Sequence, residues 1–420
     1  MALCEVMIEN DNDCYKGDYV EERNNLSIDI HDYSNFDSEI KYCNEIIYKS
    51  IIVKDYKNNF FAYSPIFYNT GSTYSLDSYE SYKTSFYFST SNIENTSEFN
   101  KNIKIKAITF YHPMLAKYFK NPCLNIEETK DYFQYKIKRT EINKNEININ
   151  KNNISKIVMS GSCSVSNKDQ HQSININTEN YIKLYLINEI TYEEVLEYIH
   201  EMHIYLNAYF PIALKSYETY ITTSNNKELK LVHKHLGDIK HYNKIHYSII
   251  KNSFFEFIEK MYLDVNYRVT QDKNKFLPLE FKIPTSLEDK FLFYFRYIDM
   301  YIGEKLSMKE KKKASNFRRI EYFIENNKDL FNESDLSNIY FANEINSLRN
   351  YYVHDGYYIP NNKFEVKNNK TKILYKKDMD YNWLFDITSA LKFGVYKLMY
   401  KEILGLDIDE SELKIVMNLI

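Results

Sequence analysis

The sequence predicts an α+β protein in which a β-rich N-terminal domain precedes a C-terminal α-helical, four-helix bundle. Three observations carry that expectation. Runs of β-branched and aromatic residues, divided by Asn-rich connections, fill the first 190 residues. At Thr191 the character changes, and capping and acidic first-turn signals open a helix. Beyond Pro284, apolar residues recur at helical spacing to about residue 403. A chain of 420 residues has room for more than one hydrophobic core. The boundaries expected are residues 1–190 for a β-rich sensing or regulatory domain, 191–284 for a mixed α/β connection, and 285–420 for the bundle.

Taken in order, "KIKAITFYH" (104–112), "SKIVMSGSCSVS" (155–166) and "YIKLYLINEI" (181–190) read as strands. A sandwich and a barrel fit them equally. "TEINKNEININKNNIS" (140–155) is low in complexity and is expected to be a long exposed loop. Thr191 then caps a helix with Glu193 and Glu194 in its first turn and Val195, Ile199, His203 and Leu206 along one side. Two strand-like runs follow, "SYETYITT" (216–223) and "KELKLVH" (227–233), and a polar stretch leads through Pro278 to Pro284. Ser286 caps the first bundle helix, whose apolar face is Leu287, Phe291, Phe295, Ile298, Ile302 and Leu306. A shorter helix is expected over 315–325 and another from 335 to about 353, with Phe341, Ile345, Leu348 and Tyr352 on its stripe. The last, 381–403, runs through Leu384, Ile387, Leu391, Val395 and Leu398.

Composition narrows the class. Net charge is −4, which does not advertise nucleic-acid binding for the chain as a whole. Its distribution is uneven: residues 1–50 hold twelve Asp/Glu and four Lys/Arg, a net of −8, so the remainder carries +4 and has room for local basic sites. The five cysteines form no CxxC pair, which argues against a zinc site or a disulfide framework. The start shows no signal-peptide pattern, and no stretch approaches the ~18 apolar residues of a membrane helix. A cytoplasmic protein with reduced thiols and no membrane contact is expected. The 41 tyrosines accompany a wealth of Asn, Lys and Ile that an AT-rich coding sequence explains.

One segment departs from this monotony: "EINSLRNYYVHDGYY", residues 344–358. At ~100° per residue Arg349 lies at the edge of the apolar stripe, while Asn343, Asn350 and His354 share the opposite face. Asp355 and Gly356 supply a helix stop. Such a face meets either water or another molecule. Histidine can give or take a proton near neutrality, and arginine offers a permanent charge and a forked donor set to a phosphate. Other constellations are weaker. His200 and His203, and His233, His235, His241 and His246, lack telling acidic or cysteine companions, so no metal is expected. "SGSCSVS" (160–166) is neither a phosphate loop nor a nucleophile elbow.

Arginine, a polar residue directly after it, and histidine after four intervening residues, on the third helix of a terminal bundle, resemble the Arg-x4-6-His motif of the HEPN superfamily. With a β-rich domain in front, "LRNYYVHDG" (348–356) looks most like the ApeA-type HEPN proteins of bacterial antiphage defence. The resemblance covers residues ~286–405. It implies a metal-independent, cofactor-free endoribonuclease that acts in abortive infection as a toxin. Cleavage of RNA, with transfer RNA a plausible substrate, would leave a 2′,3′-cyclic phosphate and a 5′-OH. His354 would do acid/base work, Arg349 would hold the phosphate and Asn350 would orient by hydrogen bonding. Asp299 stands where many relatives carry an acidic residue. Active members are usually homodimers with two motifs facing one cleft. An unknown phage trigger would act at the N-terminal domain. In that frame the basic run "KEKKKASNFRR" (309–319), with Lys309, Lys311, Lys312, Lys313, Arg318 and Arg319, is a candidate RNA-backbone contact, or else a solvated loop. Tyr351, Tyr352, Tyr357 and Tyr358 read better as packing than as base-stacking residues. A rival reading is a non-catalytic HEPN-like binding or scaffolding module.

Overall fold

The structure is a computed structural model. It describes residues 2–8, 14–22, 25–31, 51–54, 59–62, 80–84, 87–90, 103–111, 115, 124–128, 133–137, 145–169, 173–210, 218–232, 249–263, 273–279, 286–310, 314–354, 362–368 and 372–419. The chain divides into two compact units, one of Met1–Ile199 with Leu214–Lys244, the other of His200–Ala213 with Ile245–Ile420. Strands dominate the first and helices the second, so the mixed class with β-rich N-terminal and helical C-terminal regions is borne out.

Thirteen strands among the described residues of the first unit form one antiparallel sheet. It begins at Asn145–Lys151 and continues through Ile154–Asp169, Ser173–Ile190, Ile105–Tyr111, Glu218–Thr223 and Glu228–Val232. Tyr87–Thr90, Asn59–Ala62, Ile51–Lys54, Ala2–Ile8, Cys14–Glu22, Asn25–His31 and Glu80–Thr84 complete the order. The strand Ile105–Tyr111 is buried along nearly its whole length, with Ile105, Ala107, Ile108, Thr109 and Phe110 all enclosed. That explains its continuous apolar run, since a strand covered on both faces loses polar alternation. Within the strand-like runs at 216–223 and 227–233, Glu218–Thr223 and Glu228–Val232 are strands, and they pair with Ile105–Tyr111 and Tyr87–Thr90 respectively.

The loop expected over 140–155 is instead a hairpin in its described part. Ile147 and Ile149 are buried while Glu146 and Asn148 are exposed, a period-two alternation that the repeated Asn and Ile disguised as low complexity. Lys151 faces Ile154 across a two-residue turn in which Asn152 and Asn153 take φ of 55° and 62°. Two successive left-handed residues suit a hairpin turn, and asparagine tolerates that region better than most side chains. Asn153 further ties the turn to the next strand, donating to Asn188 O (3.1 Å) and accepting from Asn188 N (2.8 Å).

Seven helices, α1 to α7, follow the sheet strands or lie between them, and α2 to α7 belong to the second unit. The first, α1 (Tyr192–Tyr209), starts as expected: Thr191 N and Oγ1 both donate to Glu194 Oε2. The boundary between the units passes through it. Next come α2 (Phe254–Leu263), α3 (Leu287–Glu310), α4 (Asn316–Asn326), α5 (Phe341–His354), α6 (Tyr381–Leu398) and α7 (Glu410–Leu419). A reciprocal pair of hydrogen bonds between Ser253 and Glu256 opens α2, which the sequence reading passed over as polar chain. Ser286 caps α3 through Asp289, and Ser315 caps α4 by accepting from Arg318 N. Phe291, Phe295, Ile298, Ile302 and Leu306 are all buried, as expected.

The central element is α3, which packs against α4, α5 and α6. A second close approach depends on Gly394 of α6, where a Cβ would fall 2.3 Å from Cζ of the fully buried Phe323 on α4. Gly394→Ala is therefore expected to cost about 1–3 kcal/mol through overpacking, measurable as a lowered urea midpoint at unchanged slope. Several buried tyrosines also staple this unit. Tyr297 donates to Lys275 O (2.6 Å), Tyr396 to Pro278 O (2.7 Å) and Tyr400 to Ala208 O (2.8 Å). Large rings fill the core while their hydroxyls satisfy loop and helix-end carbonyls, a structural use for a residue so abundant here.

Candidate active site

The helix expected from residue 335 begins later, at Phe341. Residues Glu333–Leu336 make a separate single turn, and the Asn338 side chain accepts from Tyr340 N. This local bond competes with helix continuation and supplies a new start. Between α5 and α6 lies a hairpin that the sequence reading did not anticipate, Lys363–Lys367 paired with Ile373–Asp378.

That hairpin corrects the reading of the polar face of α5. Asn343 does not meet solvent or a ligand: it is buried and donates to Lys367 O (3.1 Å). One turn on, Ser347 Oγ accepts from Lys367 N (2.9 Å), and one turn further the Tyr351 hydroxyl accepts from Asn362 Nδ2 (3.1 Å). Glu344, only 2 % exposed, receives Asn338 Nδ2 (2.9 Å), Lys377 Nζ (2.9 Å) and the Tyr375 hydroxyl. The N-terminal part of the face is thus committed to structure. Asn350 and His354, one turn apart at its C-terminal end, remain exposed.

Arg349 joins this pair by reach rather than by face. It lies roughly 140° around the helix from His354 and about 7.5 Å along the axis. Its Nη1 nevertheless donates to Asn350 Oδ1 (2.9 Å), which brings the guanidinium to the edge of the exposed end. Its Nε is buried with no hydrogen-bond partner among the described residues, and the same holds for Oδ1 of Asn346, three residues earlier. A buried donor and a buried acceptor left open one turn apart cost free energy unless something else completes them. Asn346 is a site residue the sequence reading missed; its spacing from Arg349 and Asn350 was the available signal.

The remaining candidates fall elsewhere. Asp299 Oδ1 receives Arg319 Nη1 (3.0 Å), and the same nitrogen reaches Asp299 O (3.2 Å). The guanidinium packs on Gly303, where a Cβ would come within 2.8 Å of its Cζ. This half-buried pair fastens α4 to α3, and among the described residues no hydrogen bond or ion pair joins Asp299 to Arg349, Asn350 or His354. Arg318 faces Glu321 (2.8 Å) and Glu325 (3.8 Å) on its own helix. Lys309 is in the last turn of α3, and Lys311, Lys312 and Lys313 lie outside the described residues, as do Asp355, Gly356, Tyr357 and Tyr358. Tyr352 is buried with its ring 5.9 Å from that of Phe291.

Among the histidines, His203 is buried and its Nε2 lies 3.0 Å from Asn207 Nδ2; His233, His235, His241 and His246 are outside the described residues. No helix among the described residues is long and apolar enough to cross a membrane. Comparison with protein-family models, curated proteins and solved structures gives no match.

Proposed function

We propose that this chain is a metal-independent endoribonuclease of the HEPN type. The observation that supports it best is the end of α5, where Arg349 is hydrogen-bonded to Asn350 beside an exposed His354 while the polar remainder of the helix is consumed by the hairpin. In this reading α3 to α6 are the four bundle helices. His354 takes the proton of a ribose 2′-OH, and the resulting oxygen attacks the adjacent phosphorus. The 5′-oxygen leaves and takes a proton from the His354 imidazolium so formed, giving a 2′,3′-cyclic phosphate and a 5′-OH. The Arg349 guanidinium offsets the negative charge that grows on the phosphorane oxygens, held toward them by Asn350.

Two copies would bring their α5 ends to one cleft, and the open Nε of Arg349 and Oδ1 of Asn346 are groups a partner or substrate could complete. Asp299 is then a structural residue that holds α4 on α3 through Arg319, and RNA contacts would fall to Lys309, Lys311, Lys312 and Lys313 more than to the carboxylate-paired Arg318 and Arg319. The β-rich unit would sense a phage-derived trigger, with transfer RNA the first substrate to try, in a cytoplasmic abortive-infection role.

The test is incubation of the full chain with total RNA and with purified transfer RNA in excess chelator. The expected result is discrete cleavage with cyclic-phosphate ends. Mass measurement in solution should give a dimer, and a monomer at every concentration would remove the shared cleft. RNA bound but uncut, with cleavage absent under every condition, would favour the non-catalytic binding module.

A further inference from the structure

Asn346, Asn350 and His354 follow one another at four-residue steps along α5 and form one line, which drifts about 40° around the helix at each step. Arg349 flanks that line, about 60° around the helix from Asn346 and about 100° from Asn350. Both asparagines therefore lie to the same side of the arginine. Asn350 Oδ1 already receives Arg349 Nη1 (2.9 Å). One turn earlier, Asn346 Oδ1 is a buried acceptor and Arg349 Nε a buried donor, each without a hydrogen-bond partner among the described residues.

On its own helix, the residues three or four positions from Arg349 are Ile345, Asn346, Tyr352 and Val353. Ile345 and Val353 are apolar, and Tyr352 is buried with its hydroxyl directed to Met379 Sδ (3.8 Å). The earlier polar residues of the face are spent on the hairpin: Asn343 and Ser347 on Lys367, Glu344 on Lys377 and Tyr375. Asn346 is the acceptor that remains. Because both open atoms are buried within the single chain, they can complete each other without an outside partner.

We infer that Asn346 is a positioning residue for Arg349: its Oδ1 accepts from Nε while Asn350 Oδ1 accepts from Nη1, so two asparagines one turn apart bracket the guanidinium. A turn of the Arg349 side chain about its own torsions joins the two open atoms and removes the cost of leaving both unmet. The bracket engages Nε and one hydrogen of Nη1, which leaves three N–H groups for a phosphate. A guanidinium held at two points has less freedom to lose, and its charge stands in one place as the phosphorane forms. That use in cleavage rests on the ribonuclease reading; the bracket itself does not.

Urea unfolding of the full chain tests the bracket without RNA. Asn346→Leu removes the acceptor and keeps the side-chain branching, while Arg349→Lys keeps the charge and puts a methylene where Nε–H stood. Each is expected to lower the urea midpoint, and the double variant should fall no lower than the less stable single. Asn346→Asp keeps the acceptor and should stay nearer wild type than Asn346→Leu. A midpoint unchanged or raised by Asn346→Leu would mean that an unmet acceptor had been removed, and would overturn the inference. Losses that simply add would overturn it too. In RNA cleavage, Asn346→Leu should lower kcat about tenfold with KM within about twofold, because the fixed charge counts most at the phosphorane. Asn346→Asp should recover most of that rate. In the Arg349→Lys background, which has no Nε–H, Asn346→Leu should slow cleavage no further. An equal loss in both backgrounds would show that Asn346 supports the helix rather than the arginine. A wild type that cuts no RNA yet shows the coupled loss of stability would remove the ribonuclease reading and keep the bracket.

Discussion

His354→Ala is expected to lower RNA cleavage by about 10²–10⁴-fold, the range over which a positioned general acid or base contributes. His354 is exposed at the end of α5 and forms no hydrogen bond or ion pair with another described residue, so the thermal midpoint should stay within a degree or so of wild type. Arg349→Ala should be comparably inactive for a different reason, the loss of charge stabilisation at the phosphorane. Arg349→Lys separates the two: lysine keeps the charge and loses the fork that holds Asn350, so partial activity is expected. Asp299→Asn makes the contrast. Its partner Arg319 is half-buried on Gly303, and the variant should lose stability before it loses cleavage. Equal cleavage by wild type, His354→Ala and Arg349→Ala would sink the nuclease reading.

Much of this architecture was legible in the residues, and the exceptions share a physical cause. Helices α3, α4 and α6 announced themselves by caps and by apolar stripes long enough to average out noise. The strand Asn145–Lys151 did not, because its alternation is written mostly in Asn and Ile and looks like compositional bias. Helix α2 carried both a capping pair and a strong apolar face, Phe254, Phe257, Ile258 and Met261, but its ten residues sit inside polar chain. Short elements give few repeats from which to read a period.

The candidate site was legible in identity more than in setting. Arg349, Asn350 and His354 could be placed on a helix from spacing alone. What spacing could not give was the hairpin beyond Gly356, because cross-chain pairing is a tertiary fact. Asn343 therefore looked equivalent to Asn350 when one is buried against Lys367 and the other exposed. Nor could sequence show that Asp299 and Arg319, separated by about three turns of α3, a connection and the first turn of α4, would spend their charges on each other.

Lys377→Met is expected to destabilise the helical unit by about 3 kcal/mol, the lower part of the range for breaking a buried ion pair. Glu344 is almost wholly enclosed, and Lys377 is the cation that faces it at 2.9 Å. Removing the cation leaves a buried carboxylate with only the Tyr375 hydroxyl and the Asn338 amide, and that desolvated charge costs more than the pair contributed. The expected remedy is to neutralise the other side as well. Glu344→Gln in the Lys377→Met background keeps an acceptor for Tyr375 and Asn338 and should restore most of the loss. Trp383, the sole tryptophan, reports on this spot: Lys377 Nζ lies 4.3 Å from its ring centre, and Phe364 stacks on it at 6.2 Å. Urea unfolding followed by tryptophan fluorescence therefore reads the hairpin and α5 directly. A single variant as stable as wild type would mean that the hairpin is held by its backbone bonds to Asn343 and Ser347 rather than by Glu344. A double variant no better than the single would mean that the cation, and not the stranded carboxylate, was the source of the loss.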